Sequence, residues 1–427
     1  MDSFIIDGGI PLRGEVIPSG NKNAALPLIY ATLLTDEPVI LHNVPLIKDI
    51  TAMEKLLESM GVTIEKLKPS TWKFQANHVN IADLDPDLCR NVRASILLAG
   101  PIVSRFGSFI LPPPGGDVIG RRRVDTHLLA LNRLGATAYY DRQYHFEVKN
   151  RLKGTNILMD EASVTATENA IMACSLAEGT SILRNAASEP HVQELCQLLN
   201  LMGAKINGIG SNVLTIEGVD KLHGAEFTIG PDYLEVGSYI GAAVVTHGEI
   251  LIRNAGIQYL DMVKLVYNRL GVEWEEIGSD ILVPENQRLT IEPDIGGAIP
   301  EISVMPWPAF PSDLMSIAIV IATQAQGSVL FHDWMYPSRM YFTDKLVGMG
   351  AQIVLCDPHR CIVQGPTRLY PEKLESPDIR AGMALLLATL AVPGKSVIRN
   401  ISQIERGYER VDEKLRALGA RIERVEA

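Results

Sequence analysis

No apolar run in this sequence is long enough to cross a bilayer. The longest, 94–103 and 383–392, fall far short of the roughly 20 residues a spanning helix needs. An export signal is missing too: Met1-Asp2-Ser3 opens directly into strand-like Phe4-Ile5-Ile6, and the expected compartment is the cytoplasm. Positive charge is scarce. Lysine and arginine number 39 against 50 acids, a net charge of −11, which argues against nucleic acid or an anionic membrane as main partner because both need a basic footprint. Cysteine is scarce as well. Cys89, Cys174, Cys196, Cys356 and Cys361 are odd in number and show no paired framework, as suits a reducing compartment. Cys356 and Cys361 flank 357–360, which reads as a turn between two strands rather than a metal site. Gly208-Ile209-Gly210 lacks the third glycine and helix of a dinucleotide fingerprint and reads as a hairpin, and no nucleophile elbow is present.

What is present is a repeat. A helical pattern ending in Leu or Met, then Gly, then Ala or Val occurs at Gly61, Gly135, Gly203, Gly271, Gly350 and Gly419, with spacings of 74, 68, 68, 79 and 69 residues. In five of the six units an apolar strand ending in Asn or Asp precedes this helix, at Asn43, Asn185, Asn254, Asp333 and Asn400; the second unit departs from the rule at Pro112-Pro113-Pro114-Gly115-Gly116-Asp117. The first unit reads as strand, helix 23–34, strand 39–41, helix 50–59, then a closing strand pair, with the glycine as a left-handed C-cap. A period near 70 residues is too long for a solenoid and describes a whole βαβαββ-type unit. Six of them, in a chain of 427 residues, make two lobes of three with the site expected in the cleft between.

Charged groups gather at the starts of helices. Ser19-Gly20-Asn21-Lys22-Asn23-Ala24-Ala25-Leu26-Pro27 puts an ammonium at the mouth of an apolar helix, where exposed amides and the helix dipole favour an anion. Arg90-Asn91-Val92-Arg93 offers guanidinium groups that can grip a phosphate or carboxylate. The stretch 111–127 joins three prolines, two glycines and Asp117 to Arg121-Arg122-Arg123, and resembles a mobile lid tip. Pro306-Trp307-Pro308-Ala309-Phe310-Pro311-Ser312-Asp313 ends at a helix start, where the plain reading of Asp313 is an N-cap. Ser338-Arg339, Asp378-Ile379-Arg380 and Glu405-Arg406-Gly407-Tyr408-Glu409-Arg410 lie at strand-to-helix junctions; alone, each reads as a helix-end ion pair worth under about 1 kcal/mol.

Taken together, these motifs resemble the enolpyruvyl transferase family over essentially the whole chain, in the family's order: Ser-Gly-x-Lys-Asn-Ala-Ala-Leu-Pro at Lys22, Pro-Gly-Gly-Asp at Asp117, Pro-x-Phe-Pro at Phe310 and Arg-Gly-Tyr-Glu-Arg at Arg406. The resemblance implies an α/β fold of two inside-out barrels, helices central and sheets outside, with lobes 22–229 and 1–21 plus 230–427. It implies transfer of the enolpyruvyl group of phosphoenolpyruvate to the 3-hydroxyl of UDP-N-acetylglucosamine with release of phosphate, the first committed step of peptidoglycan synthesis, with no metal or organic cofactor. By the same resemblance Lys22, Arg93, Arg122 and Arg406 contact phosphoenolpyruvate, Asn23 the sugar nucleotide, and Val124, Asp125, Thr126 and His127, with Ser163 and Val164, the nucleotide. Asp313 is implied to be the base near the sugar hydroxyl and Asp117 a general acid or a gate for product. Met335, Arg339, Asp378 and Arg380 shape the second lobe's face of the cleft.

Three positions depart from the family pattern on the nucleotide side: Glu161 for a basic residue, Thr165 for glycine and Arg123 for proline. They leave open another nucleotide or alcohol as acceptor, or a paralogue that only binds a UDP-sugar. The epoxide fosfomycin alkylates the loop cysteine of family members that have one, and Asp117 offers no thiol. The chain is expected to stay active where a cysteine-loop member is silenced, and Asp117→Cys to become sensitive; rapid inactivation of the unaltered chain in a phosphate-release assay would contradict this.

Overall fold

A computed structural model describes residues 2–115 and 123–426, which fall into two compact units. The N-terminal unit holds 20–115 and 123–230; the C-terminal unit holds 2–19 and 231–426.

Each unit is organised round helices that are buried on nearly every side. In the C-terminal unit Tyr233–Val245 and Ile379–Leu390 are buried along their whole length, and Met315–Gln324 along all but its last residue. Such helices are stable only inside a core, and these three pack on one another. Gly241 permits the approach: a Cβ there would stand 2.6 Å from Ile317 Cγ2 and 3.2 Å from Leu387 Cδ1. The N-terminal unit has the equivalent helices Lys22–Ala31, Arg93–Leu98 running into Ala99–Arg105, and Val164–Ser175. The second helix of a repeat is amphipathic instead. In Lys48–Ser59 the buried residues Asp49, Ile50, Met53, Leu56 and Leu57 form one stripe. The first helix is shorter than the sequence pattern suggests, because its last turn, Thr32–Leu34, tightens to 3₁₀ geometry.

Among the described residues the strands lie in six sheets. In five, a short strand runs parallel to its neighbour and the other contacts are antiparallel, as in the order Glu226–Thr228, Val39–His42, Thr71–Gln75, Thr63–Lys68. The sixth, Phe109–Leu111, Gln143–Glu147 and Thr137–Asp141, has three strands and belongs to the repeat that departs from the pattern. Ser3–Gly8 lies between Gly394–Arg399 and Arg421–Val425, antiparallel to both, and Arg13–Val16 runs parallel to Glu249–Ile252. Burial alternates along Ser3–Gly8, so one face of its sheet meets the core and the other looks outward. No helix among the described residues is long and apolar enough to cross a membrane.

The punctuation of the repeat has a direct backbone cause. All six repeat glycines have positive φ, from 82° at Gly271 to 106° at Gly350. After each, the next residue's N–H reaches back five positions, as from Val62 to the Leu57 carbonyl or from Ala420 to that of Leu415, which closes the helix in a Schellman motif. The repeat asparagines are left-handed too, with φ of 56° at Asn43, 58° at Asn185, 47° at Asn254 and 57° at Asn400. Three of them donate their side-chain amide to the segment following the parallel strand: Asn43 to the Ile229 carbonyl, Asn185 to that of Met159 and Asn400 to that of Ser376, each at 3.0 Å. Asparagine suits the place because it tolerates αL and carries a donor. Asn400→Ala is expected to cost about 2 kcal/mol, from backbone strain and one lost hydrogen bond, and Asn400→Gly about half of that. Urea midpoints for the two variants check the ordering.

Candidate active site

In the N-terminal unit the side chain of Asn21 caps the helix Lys22–Ala31, accepting from the Asn23 and Ala24 amides at 2.9 and 3.2 Å. That cap fixes the turn that carries Lys22. Lys22 is only 6% exposed, and its Nζ lies 2.9 Å from Asp49 Oδ2 in the first turn of Lys48–Ser59. An ammonium this buried is tolerable only with a carboxylate beside it. Arg93 opens the helix Arg93–Leu98 and donates from Nη2 to the Arg123 carbonyl at 3.4 Å. The Arg123 guanidinium lies 3.2 Å from Asp125, 3.0 Å from Asp160 and 3.8 Å from Glu161, and Thr126 donates to the other oxygen of Asp160 at 2.7 Å. Two of the three departures, Arg123 and Glu161, are therefore an ion pair. The third, Thr165, is bonded to His127 Nε2 at 3.1 Å. His127 is 1% exposed, and burial together with the Arg93 charge pulls it down to about 3, so it is neutral at physiological pH. Val124 is buried, Asp125 begins the helix Asp125–Arg133, and Ser163 and Val164 begin Val164–Ser175. Asp117 and Arg122 lie outside the described residues.

In the C-terminal unit Asp313 is no helix cap. Its Oδ1 accepts from Arg339 Nη2 at 2.9 Å and its Oδ2 from Arg380 Nε at 3.0 Å, while the short helix Ser312–Leu314 has no side-chain cap at all. Arg339 and Arg380 are 4% and 5% exposed. Burial is the largest influence and would lower both guanidinium pKa values, but Asp313 acting together with Asp378 and Asp333 at Arg339, and with Tyr408 and Asp232 at Arg380, outweighs it and both are raised. Asp378 caps Ile379–Leu390, accepting from the Arg380 and Ala381 amides at 2.8 and 3.0 Å, and stands 3.9 Å from Arg339. Asp333, fully buried, takes the Ser312 hydroxyl and the amides of Met335 and Tyr336, which fixes the turn that carries Met335. The Arg380 guanidinium lies over the Tyr408 ring at 5.4 Å, and the Tyr408 hydroxyl meets that of Ser238 at 2.9 Å. Arg406 ends the helix Ile401–Arg406 and is half-buried. This unit thus presents a carboxylate held between two buried guanidinium groups. The N-terminal unit holds a buried ammonium and an arginine at two separate helix starts. No group of three His, Cys, Asp or Glu residues that could hold a metal occurs among the described residues.

The sequence profile of EPSP synthase (3-phosphoshikimate 1-carboxyvinyltransferase) matches residues 6–415. The chain belongs to that family. It is 53% identical over 423 residues to the UDP-N-acetylglucosamine 1-carboxyvinyltransferase of Treponema denticola, covering 99% of both chains. It is 52% identical over 422 residues to the protein of that name from Bradyrhizobium diazoefficiens, covering 99% of this chain and 98% of the other. Its fold is shared with the enolpyruvyl transferase NikO from Streptomyces tendae, at TM-score 0.89 and 24% identity over 100% and 99% of the chains. EPSP synthase from Acinetobacter baumannii shares it at TM-score 0.75 and 17% identity, with both chains fully covered.

Within this member of the family several groups went unread in the sequence. Asp49 could have been found as an acid on the apolar stripe of Lys48–Ser59; Asn169, which follows Thr165, Thr167 and Glu168 in Val164–Ser175, gave no such signal. Glu168 is the third. It is 1% exposed, and its Oε1 has no partner among the described residues. Burial, and secondarily the charge of Glu189, holds its pKa well above the usual 4.5, so folding favours the protonated form. The unfolded chain ionises it, so the stability that Glu168 contributes is complete below about pH 4.5 and is lost as pH rises toward the folded pKa. Glu168→Gln, neutral throughout, is expected to match the unaltered chain at pH 4 and exceed it at pH 8. Urea midpoints at the two pH values test this, and identical differences at both would contradict it.

Proposed function

We propose that this chain transfers the enolpyruvyl group of phosphoenolpyruvate to the 3-hydroxyl of UDP-N-acetylglucosamine and releases phosphate, the committed step of peptidoglycan synthesis. Supporting it are the identity to the carboxyvinyltransferases just described and one geometric observation, the Asp313 carboxylate fixed between Arg339 and Arg380. Protonation of phosphoenolpyruvate at C3 makes C2 electrophilic; the sugar hydroxyl adds there, and the tetrahedral intermediate expels phosphate. Two guanidinium groups fix the position of the Asp313 carboxylate, and any carboxylate is a weak base. A weak base suffices, because an alcohol becomes strongly acidic as its oxygen bonds to a cationic carbon. Lys22, Arg93, Arg122 and Arg406 hold the anionic end of phosphoenolpyruvate, and Asp117 donates a proton or gates release. The reaction runs in the cytoplasm.

The ion pair of Arg123 with Glu161 favours one second reading, a different nucleotide as acceptor, since it changes the charge pattern beside the nucleotide segment. Phosphate release from phosphoenolpyruvate, measured with UDP-N-acetylglucosamine, UMP or shikimate 3-phosphate, separates the readings. Release is expected with UDP-N-acetylglucosamine and is expected to fall by at least about a hundredfold in Lys22→Ala and in Asp313→Asn. Turnover with another acceptor alone would support the second reading, and silence with all three would leave a binding role.

A further inference from the structure

In four of the repeat units the strand ends on a left-handed asparagine, and three of these use the side-chain amide as a donor. The unit that carries Asp313 has Asp333 in that place, and Asp333 is not among the left-handed residues. The change reverses the chemistry, since a carboxylate only accepts hydrogen bonds whereas an asparagine must also place an NH2. Asp333 is 0% exposed and takes three hydrogens. Its Oδ2 accepts from the Ser312 hydroxyl, and its Oδ1 from the amides of Met335 and Tyr336 at 3.0 and 3.2 Å. Its own backbone is held by His359, whose carbonyl accepts the Asp333 N–H at 2.8 Å and whose Nδ1 donates to the Asp333 carbonyl at 2.7 Å.

These bonds reach both members of one ion pair from behind. Ser312 is the residue before Asp313 in the short helix Ser312–Leu314, which has no side-chain cap to fix it from its own end. Tyr336 supports Arg339 on the other side: its carbonyl accepts the Arg339 N–H at 3.1 Å, and the guanidinium lies over its ring at 5.1 Å. Arg339 Nη2 closes the circuit on Asp313 Oδ1 at 2.9 Å, and Arg339 Nε stands 4.0 Å from Asp333 Oδ2. An asparagine in place of Asp333 would still receive the two amides, but it would turn an NH2 toward the Ser312 hydroxyl and bring no charge to Arg339.

We infer that Asp333 is a positioning residue for the reaction, holding Asp313 through Ser312 and Arg339 through the turn at Tyr336. Fully buried, it acts through these groups and not by touching a substrate. The inference rests on the proposed role of Asp313 as the base and goes beyond it, because it assigns the aim of that carboxylate to a residue at the end of the strand Gly327–His332. Misplacing a reacting group by about 1 Å lowers a rate by up to on the order of a hundredfold, so the effect of losing Asp333 falls on kcat.

The test uses the full chain and follows phosphate release with phosphoenolpyruvate and UDP-N-acetylglucosamine. In Asp333→Asn kcat is expected to fall about tenfold while both KM values stay within about twofold. Ser312→Ala, which leaves the charge of Asp333 in place, is expected to lose about fivefold in kcat, and Ser312→Thr, which keeps a hydroxyl, to recover most of that loss. Joined to Asp313→Asn, Asp333→Asn is expected to lower the remaining rate by less than about twofold, because its effect runs through the group already removed. An unchanged kcat in Asp333→Asn, a full further tenfold loss in the double variant, or equal losses in Ser312→Ala and Ser312→Thr overturns the inference. The Ser312 pair decides it if Asp333→Asn does not fold. Absence of release in the unaltered chain overturns the proposed function as well, whereas release that these variants leave untouched overturns the inference alone.

Discussion

A helix that is buried on every side can meet a substrate only at its ends, and the placement of charge in this protein follows from that constraint. Lys22 opens Lys22–Ala31, Arg93 opens Arg93–Leu98, and Ser163 to Thr165 open Val164–Ser175. In the other unit Asp232 caps Tyr233–Val245, Asp313 precedes Met315–Gln324, and Asp378 with Arg380 begins Ile379–Leu390. Each N-terminus has amides without helical partners, so polar side chains there meet a need the backbone creates. The same ends are where an anionic substrate can be met by amides, dipole and cation together.

Burying these charges has a cost that pairing must offset. Lys22 has Asp49, and Arg339 and Arg380 have Asp313 between them, with Asp378 and Asp333 at 3.9 and 4.0 Å from Arg339. Such groups are held in one rotamer by partners that are themselves fixed, which is what an arrangement meant to meet a developing charge requires. The bond from His127 to Thr165 works on the same plan without any net charge, through lone pairs alone.

Much of the fold was legible because its punctuation is local. A left-handed backbone selects glycine or asparagine whatever surrounds it, so six glycines and four asparagines marked the repeat before any contact was known. The hairpin at 208–212 was legible for the same reason, as the two glycines between Lys205–Asn207 and Val213–Glu217 both have φ of 86°. The site was legible only as residue types at helix starts. That Asp313 faces two arginines instead of capping its helix, that Asp49 lies against Lys22, and that Arg123 meets Glu161 are contacts between segments 26 to 67 residues apart in sequence. No local pattern encodes such pairs. Helix limits shifted by a few residues because the end of Lys22–Ala31 is decided by tightening of its last turn, which the apolar pattern does not register.

Among the described residues the strand Ser3–Gly8 bonds to Gly394–Arg399 and Arg421–Val425, so its sheet closes only when segments far apart in sequence meet. The sheet of Val39–His42 in the other unit draws its partners from within that unit and has no such requirement. Until its partners arrive, Ser3–Gly8 is an unpaired strand of alternating burial, and pairing across so long a loop is slow.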